Sequence, residues 1–183
     1  MINTALTELL GIEHPLLAAP MAGVAGGALA AAVSDAGGFG LIGGGYGDRN
    51  WLAEQTRALD CTGLGIGFIT WRLAEEPALL DVALAAKPRA ILLSFGDVAP
   101  FAAKIRASAA LFIAQVQTLA AACAARDAGA DVIVAQGTEA GGHGGTRATL
   151  PLVPAIVDAV APLPVVAAGG IADGRGLAAA LML

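Results

Sequence analysis

The segment Val132-Ile133-Val134-Ala135-Gln136-Gly137 follows an Ala-rich stretch, Thr118–Ala128, that stops at Gly129. A short unbroken apolar run bounded by glycine is the pattern of a strand buried on both faces. An Ala-rich stretch closed by glycine is the pattern of a helix. Outward from this unit the alternation recurs. Apolar runs lie at Leu16–Pro20, Phe39–Gly43, Leu64–Phe68, Ala90–Ser94, Leu111–Val116 and Val165–Ala168. They start about 25 residues apart, room for a strand, a helix and two short loops. Helices are expected at Leu29–Ala36, at Trp51–Leu59 behind an Asn50 cap, and at Pro77–Ala86. Two more are expected at Pro151–Val160 and from Arg175 onward, behind Asp173.

Strands that alternate with helices, without hairpins, predict a parallel sheet covered by helices, the α/β class. A (β/α)8 TIM barrel fits the spacing better than an open doubly wound sheet, because about 250 residues make eight such units. The seventh run ends at Ala168 and the sequence at Leu183. The expectation is therefore a barrel truncated after strand 7 and the start of its helix. Residues 1–183 would form a single domain, incomplete at its C-terminus.

Composition narrows the function. The chain carries a net charge of −5, and its ten Lys and Arg are scattered, so nothing resembles a basic stripe for nucleic acid. Cys61 and Cys123 form no CxxC pair, which argues against a disulfide or zinc framework and suits a reducing cytoplasm. A mean hydropathy of +0.74 raises the question of a membrane. The uncharged windows Pro15–Ser34 and Ala107–Ala125 are, however, rich in Ala and Gly and read as strand plus packed helix. Met1–Leu10 lacks a basic start and carries Glu8, unlike a signal peptide.

In parallel α/β folds chemistry collects where strands end. His14 precedes the first expected strand and so falls at the opposite end. His143 lies after the sixth, in Gln136-Gly-Thr-Glu139-Ala-Gly141-Gly-His143-Gly-Gly. Four nearby glycines remove side-chain bulk, so that a flat ligand can approach the backbone, and His143 becomes the candidate functional residue. Glu139 either orients that loop or is merely exposed. Gly169-Gly170, ahead of Asp173 and a helix, is either a phosphate-binding turn or a plain tight turn with Asp173 as cap. Pro20-Met21-Ala22 ends the first run in small residues, a place for a planar ring or a simple loop.

Gly38-Phe-Gly40-Leu-Ile-Gly43 has dinucleotide-binding spacing in the wrong context, since it leads into a strand, and is assigned a structural role. Gly43–Gly47 is read as a flexible loop and candidate lid. Acidic residues on helices form no metal pair, so no metal site is expected. Trp51 and Trp71 are expected to pack. Nucleophile-elbow, Walker A and His-Glu-x-x-His motifs do not occur.

At these residues the chain resembles the nitronate monooxygenase family, formerly called 2-nitropropane dioxygenases. Matching stretches are Ala19–Val24, Leu29–Gly40, Ser94-Phe95-Gly96, Gln136–His143 and Ala168–Arg175. The Glu-Ala-Gly-Gly-His segment is the most specific. The resemblance implies a flavoprotein TIM barrel that binds FMN non-covalently. Pro20, Met21 and Ala22 would lie against the ring, Gln136 and Gly141 would contact the flavin, and Gly169 and Gly170 its phosphate. His143 would be the base that takes the α-proton from a nitroalkane, or would position a nitronate. O2 would complete oxidation to a carbonyl compound and nitrite. An imidazole suits this proton transfer because its ordinary pKa, about 6.5, lies near working pH. The resemblance also implies departures: Gly65-Ile66-Gly67-Phe68 stands where many members have an Asn flavin ligand, and Gly144 where many have Arg.

Two further readings accompany this one. The first is a flavin-dependent NAD(P)H reductase of enoyl-ACP or quinone type. The second is an inactive fragment that retains FMN weakly or not at all. Unpaired groups on the outer strands of an incomplete barrel favour association, which leaves a homo-oligomer open. The expected partners are a small nitronate or nitroalkane and O2, with neither nucleic acid nor a membrane.

Overall fold

A computed structural model describes residues 2–57 and 59–183. Met1, in the N-terminal segment read as lacking a leader, and Ala58, within the expected helix Trp51–Leu59, lie outside the described residues. The chain divides into two compact units, Met1–Phe112 and Ile113–Leu183.

The first unit opens with α1 (Ala5–Leu10), which the sequence reading did not anticipate. Thr4 and Thr7 cap it reciprocally: the Thr4 hydroxyl accepts the Thr7 N–H at 3.1 Å, and the Thr7 hydroxyl accepts the Thr4 N–H at 2.9 Å. Next come α2 (Gly27–Asp35), β1 (Leu41–Gly45), α3 (Arg49–Arg57) and β2 (Gly65–Ile69). After these come α4 (Thr70–Glu75), α5 (Ala78–Ala85), β3 (Ala90–Ser94) and α6 (Ala99–Arg106). β1 pairs in parallel with β2, and β2 with β3. All three strands are buried along their length, as unbroken apolar runs require. Ile42, Ile66, Ile91, Leu93 and Leu80 are fully buried in this core. Each such side chain contributes about 1.5–3 kcal/mol before conformational entropy is subtracted.

The first expected strand, Leu16–Pro20, is corrected to a single parallel bridge between Leu17 and Phe39. The Phe39 N–H donates to the Leu16 carbonyl and the Ala18 N–H to the Phe39 carbonyl, both at 2.9 Å. Pro15 and Pro20 have no N–H to extend the ladder. Beyond them the Met21 N–H turns back onto the Ala19 carbonyl. Six strands are thus present among the described residues where seven were expected. The cap of α3 is also corrected. Asp48, not Asn50, accepts the Trp51 N–H at 2.9 Å, so the helix starts earlier.

The second unit holds the end of β4 (Leu111–Val116), then α7 (Leu119–Asp127), β5 (Val132–Gln136), α8 (Thr149–Val160), β6 (Val165–Ala168) and α9 (Gly174–Met182). β4 pairs in parallel with β5, and β5 with β6. β5 is fully buried, whereas β6 is half-buried. Thr118 caps α7 through the Ala121 N–H, and Asp173 caps α9. In both units the strands follow chain order, parallel and alternating with helices. This is the (β/α)8-barrel class, not the doubly wound sheet, whose order reverses at a switch point. No helix among the described residues is long and apolar enough to cross a membrane.

Candidate functional site

In the first unit, the segment Pro20-Met21-Ala22 is seated by glycines on the strands beneath it. A Cβ on Gly43 would lie 2.5 Å from the Met21 carbonyl oxygen, and one on Gly67 would lie 2.4 Å from Pro20 Cβ. Real Cβ atoms do not approach so closely, so these strand positions must be glycine for the segment to lie where it does. Gly40 packs in the same way on the Ala30 carbonyl, as a structural reading of Gly38–Gly43 requires. Met21 itself is exposed. Beside it, Ala22, the Gly43–Gly47 run, Arg49 and Trp51 line a cavity of about 530 Å3.

The expected lid Gly43–Gly47 is strand as far as Gly45. Its tip is tied down, because the Tyr46 carbonyl accepts from Arg72 Nε at 2.7 Å and the Tyr46 ring lies 6.3 Å from that of Trp71. Two features where β2 and β3 end were not legible in the sequence. The Thr70 hydroxyl is buried without a partner among the described residues, and Phe95 adopts a left-handed φ of 59°. Non-glycine residues held in that region cluster at functional sites. His14 is exposed, and its N–H donates to the Gly37 carbonyl at 2.9 Å.

The second unit assembles the more specific group. Gln136 closes β5 and is 6% exposed. Its Oε1 accepts from Gln115 Nε2 at 3.1 Å and from Gln117 Nε2 at 2.9 Å. Gln117 Nε2 also donates to the backbone carbonyl of His143, at 2.8 Å. The structure thus places His143, exposed in the glycine loop, on a main chain tied to the same glutamines that hold Gln136.

Glu139 resolves as the residue that orients the loop. Its Oε2 accepts both the N–H and the hydroxyl of Thr149, each at 2.8 Å, at the start of α8. α8 has no side-chain cap of its own from Ala148, so the Glu139 carboxylate meets the first N–H and the positive end of the helix. The Thr149 N–H, followed by its hydroxyl, holds the Glu139 carboxyl below the usual carboxylate range.

The glycines of this unit sort into two kinds. A Cβ on Gly137 would lie 2.1 Å from Thr149 Oγ1, so Gly137 is needed to bring loop and helix together. Around Gly141 and Gly144 nothing lies within 4 Å of where a Cβ would stand. Neither needs to be glycine for packing, which leaves room for a ligand against the backbone.

Gly169 and Gly170 both have positive φ, 119° and 74°. With Glu139, Thr149, Ile171 and Gly176 they help to line a cleft of about 240 Å3. The N-terminus of α9 beside them is already capped: Asp173 Oδ1 accepts the N–H groups of Arg175 and Gly176. Arg175, in turn, pairs with Asp173. The guanidinium first, then the backbone donors, hold the Asp173 carboxyl below its ordinary range. The Asp173 cap weighed from sequence is therefore present, and an anion here would meet the glycine turn rather than the helix end. No cluster of three metal-ligating side chains occurs among the described residues.

This geometry can be set beside known proteins. The nitronate monooxygenase family profile matches residues 3–62 and 72–183. The chain belongs to the nitronate monooxygenase family. Among its relatives in that family is a nitronate monooxygenase of Paraburkholderia phytofirmans, 35% identical, matched over 98% of this chain and 62% of that protein. A carboxyl-CoA dehydrogenase of Rhodococcus jostii, acting on an octahydro-indene, is 36% identical over 98% of this chain and 51% of that protein. The solved structure of FabK from Thermotoga maritima superposes with a TM-score of 0.91 at 35% identity, covering all of this chain and 59% of that one. This member of the nitronate monooxygenase family thus spans between half and two thirds of the length of these relatives.

Proposed function

We propose that the protein carrying this chain is an FMN-dependent oxidoreductase that oxidises alkyl nitronates or nitroalkanes with O2 to carbonyl compounds and nitrite. The observation that carries this reading is the pairing of Gln136 with the His143 loop through Gln117. A buried amide at a strand end and an exposed imidazole on a glycine loop are thereby held by one side chain. Family membership supports the same reaction class.

The residues present suit a flavin. Gln136 offers an amide, and the backbone at Gly141 is unobstructed. Gly169 and Gly170 offer a left-handed turn to the phosphate. Pro20, Met21 and Ala22 are proposed ring contacts on the family resemblance. The flavin, when bound, supplies the one-electron and O2 chemistry. The protein's part is to bind, orient and move a proton. In this reading His143 accepts the α-proton of a nitroalkane at its imidazole, and Glu139 keeps the loop's base fixed on α8.

A second reading, a flavin-dependent dehydrogenase or reductase of acyl thioesters using NAD(P)H, is favoured by the likeness to the carboxyl-CoA dehydrogenase and to FabK. Anaerobic mixing separates the two. Flavin bleaching by a nitronate, with none by NADH or NADPH, supports the first. Bleaching by a nicotinamide, with none by a nitronate, overturns it in favour of the second.

A further inference from the structure

Gln117 immediately follows β4, opposite Gln136 in the continued register of Val116 with Ala135. Its amide sits between two oxygens. One is the His143 carbonyl, which belongs to the backbone and can only accept a hydrogen bond. The atom of Gln117 that meets it must therefore be nitrogen. That same nitrogen lies 2.9 Å from the Gln136 amide, so the atom of Gln136 facing it must be oxygen. The Gln115 atom on that oxygen, 3.1 Å away, must then be nitrogen as well. One main-chain carbonyl thus fixes the orientation of three side-chain amides in sequence. The loop passes close to this side chain at Gly145, where an added Cβ would lie 3.1 Å from Gln117 Cβ.

We propose that Gln117 is a positioning residue. It sets the Gln136 amide with Oε1 turned inward and the two N–H groups of Nε2 left for a ligand, and it holds the His143 segment of the glycine loop to the end of β4. The ligand atom that meets Gln136 is then a hydrogen-bond acceptor, such as a ring nitrogen or ring carbonyl oxygen. In its flavin arm this proposal rests on the reading given above.

The test compares the protein with Q117L and Q117E. Leucine keeps the bulk and donates nothing. The glutamate carboxylate accepts where the amide donated, which turns the Gln136 amide around. FMN is titrated by fluorescence quenching, the visible spectrum of bound flavin is recorded, and amide hydrogen exchange is followed without FMN.

Both variants are expected to bind FMN about ten-fold more weakly or worse, as the loss of charge-neutral hydrogen bonds implies. Q117E is further expected to shift the visible flavin band, which a general loss of stability does not do. Amides in the 141–146 segment should exchange faster in both variants, while those of β5 keep the protection of the unsubstituted protein. Variants with unchanged FMN affinity, spectrum and exchange overturn the proposal. If the unsubstituted chain itself fails to bind FMN, as the fragment reading expects, the flavin arm of this proposal falls. The positioning role is then decided by exchange alone: faster exchange at 141–146 in Q117L supports it, and unchanged exchange overturns it.

Discussion

Glu139 Oε2 lies 2.8 Å from both the backbone nitrogen and the hydroxyl oxygen of Thr149, so one carboxylate oxygen ties the glycine loop to the first residue of α8. The two residues are far enough apart in sequence that neither signals the other. Together they close the loop that carries His143 at its C-terminal end, and the Gln117 bond restrains it near its middle.

The Glu139–Thr149 contact makes the loop sensitive to pH. Because the Glu139 carboxyl is held below its ordinary range, the contribution is fully present above the unfolded carboxylate value, about 4.3, and is lost as pH falls through the lower folded value. Hydrogen exchange at the start of α8 is expected to accelerate in acid below about pH 4. In E139Q it should already be faster at pH 7, with a flatter acid dependence. Parallel profiles in the two proteins would remove the clamp from the account.

The two kinds of glycine predict opposite phenotypes. G137A drives a methyl into Thr149 and is expected to destabilise by about 1–3 kcal/mol, the usual cost of overpacking a site that cannot yield. G141A has open space and should stay within about 0.5 kcal/mol of the parent. Its effect should appear instead as weaker FMN binding. Urea unfolding and flavin titration separate the two, and a G137A protein as stable as the parent would contradict the close approach.

Much of the fold was legible because buried parallel strands are written as unbroken apolar runs. Ala90–Ser94, Val132–Gln136 and Val165–Ala168 fall where expected, residue for residue. Leu16–Pro20 looked the same by hydropathy, but prolines at its edges cut the ladder to one bridge. The helix α6 was not expected from sequence, although Pro100 in its first turn and Lys104 and Arg106 in its last are ordinary signals. They were hidden by the apolar residues on either side. At the site, His143 stood out by residue type and by the glycines around it, while Gln136 was marked only by the family resemblance. Gln117 did not stand out, because its role depends on register with β5, and an isolated glutamine carries no such information.

If His143 is the base, its loss should weigh on the step that needs one. H143A is expected to slow nitroalkane oxidation by about 10²–10³-fold, within the range of general base catalysis, and nitronate oxidation far less, because a nitronate has already lost the proton. Steady-state rates with both forms of one compound, prepared at matched ionic strength, give the comparison. Equal losses would leave His143 with a binding role only.

The seat of Pro20 on β2 gives a test that needs no ligand. A Cβ on Gly67 would fall 2.4 Å from Pro20 Cβ and 2.5 Å from Pro20 Cγ, while the Met21 carbonyl is pressed against Gly43 close by. The segment cannot retreat without breaking its fit on β1. G67A is therefore expected to cost about 1–3 kcal/mol in urea unfolding. P20G removes the ring and the Cβ that the new methyl meets, and on its own costs something through a freer unfolded chain. The two changes should not add: G67A/P20G is expected to be more stable than the sum of the single effects by about 1 kcal/mol or more, as contacting residues behave in a double-mutant cycle. Additive losses would mean that Pro20 and Gly67 are not in contact, and the seating of the Pro20–Ala22 segment would have to be redrawn.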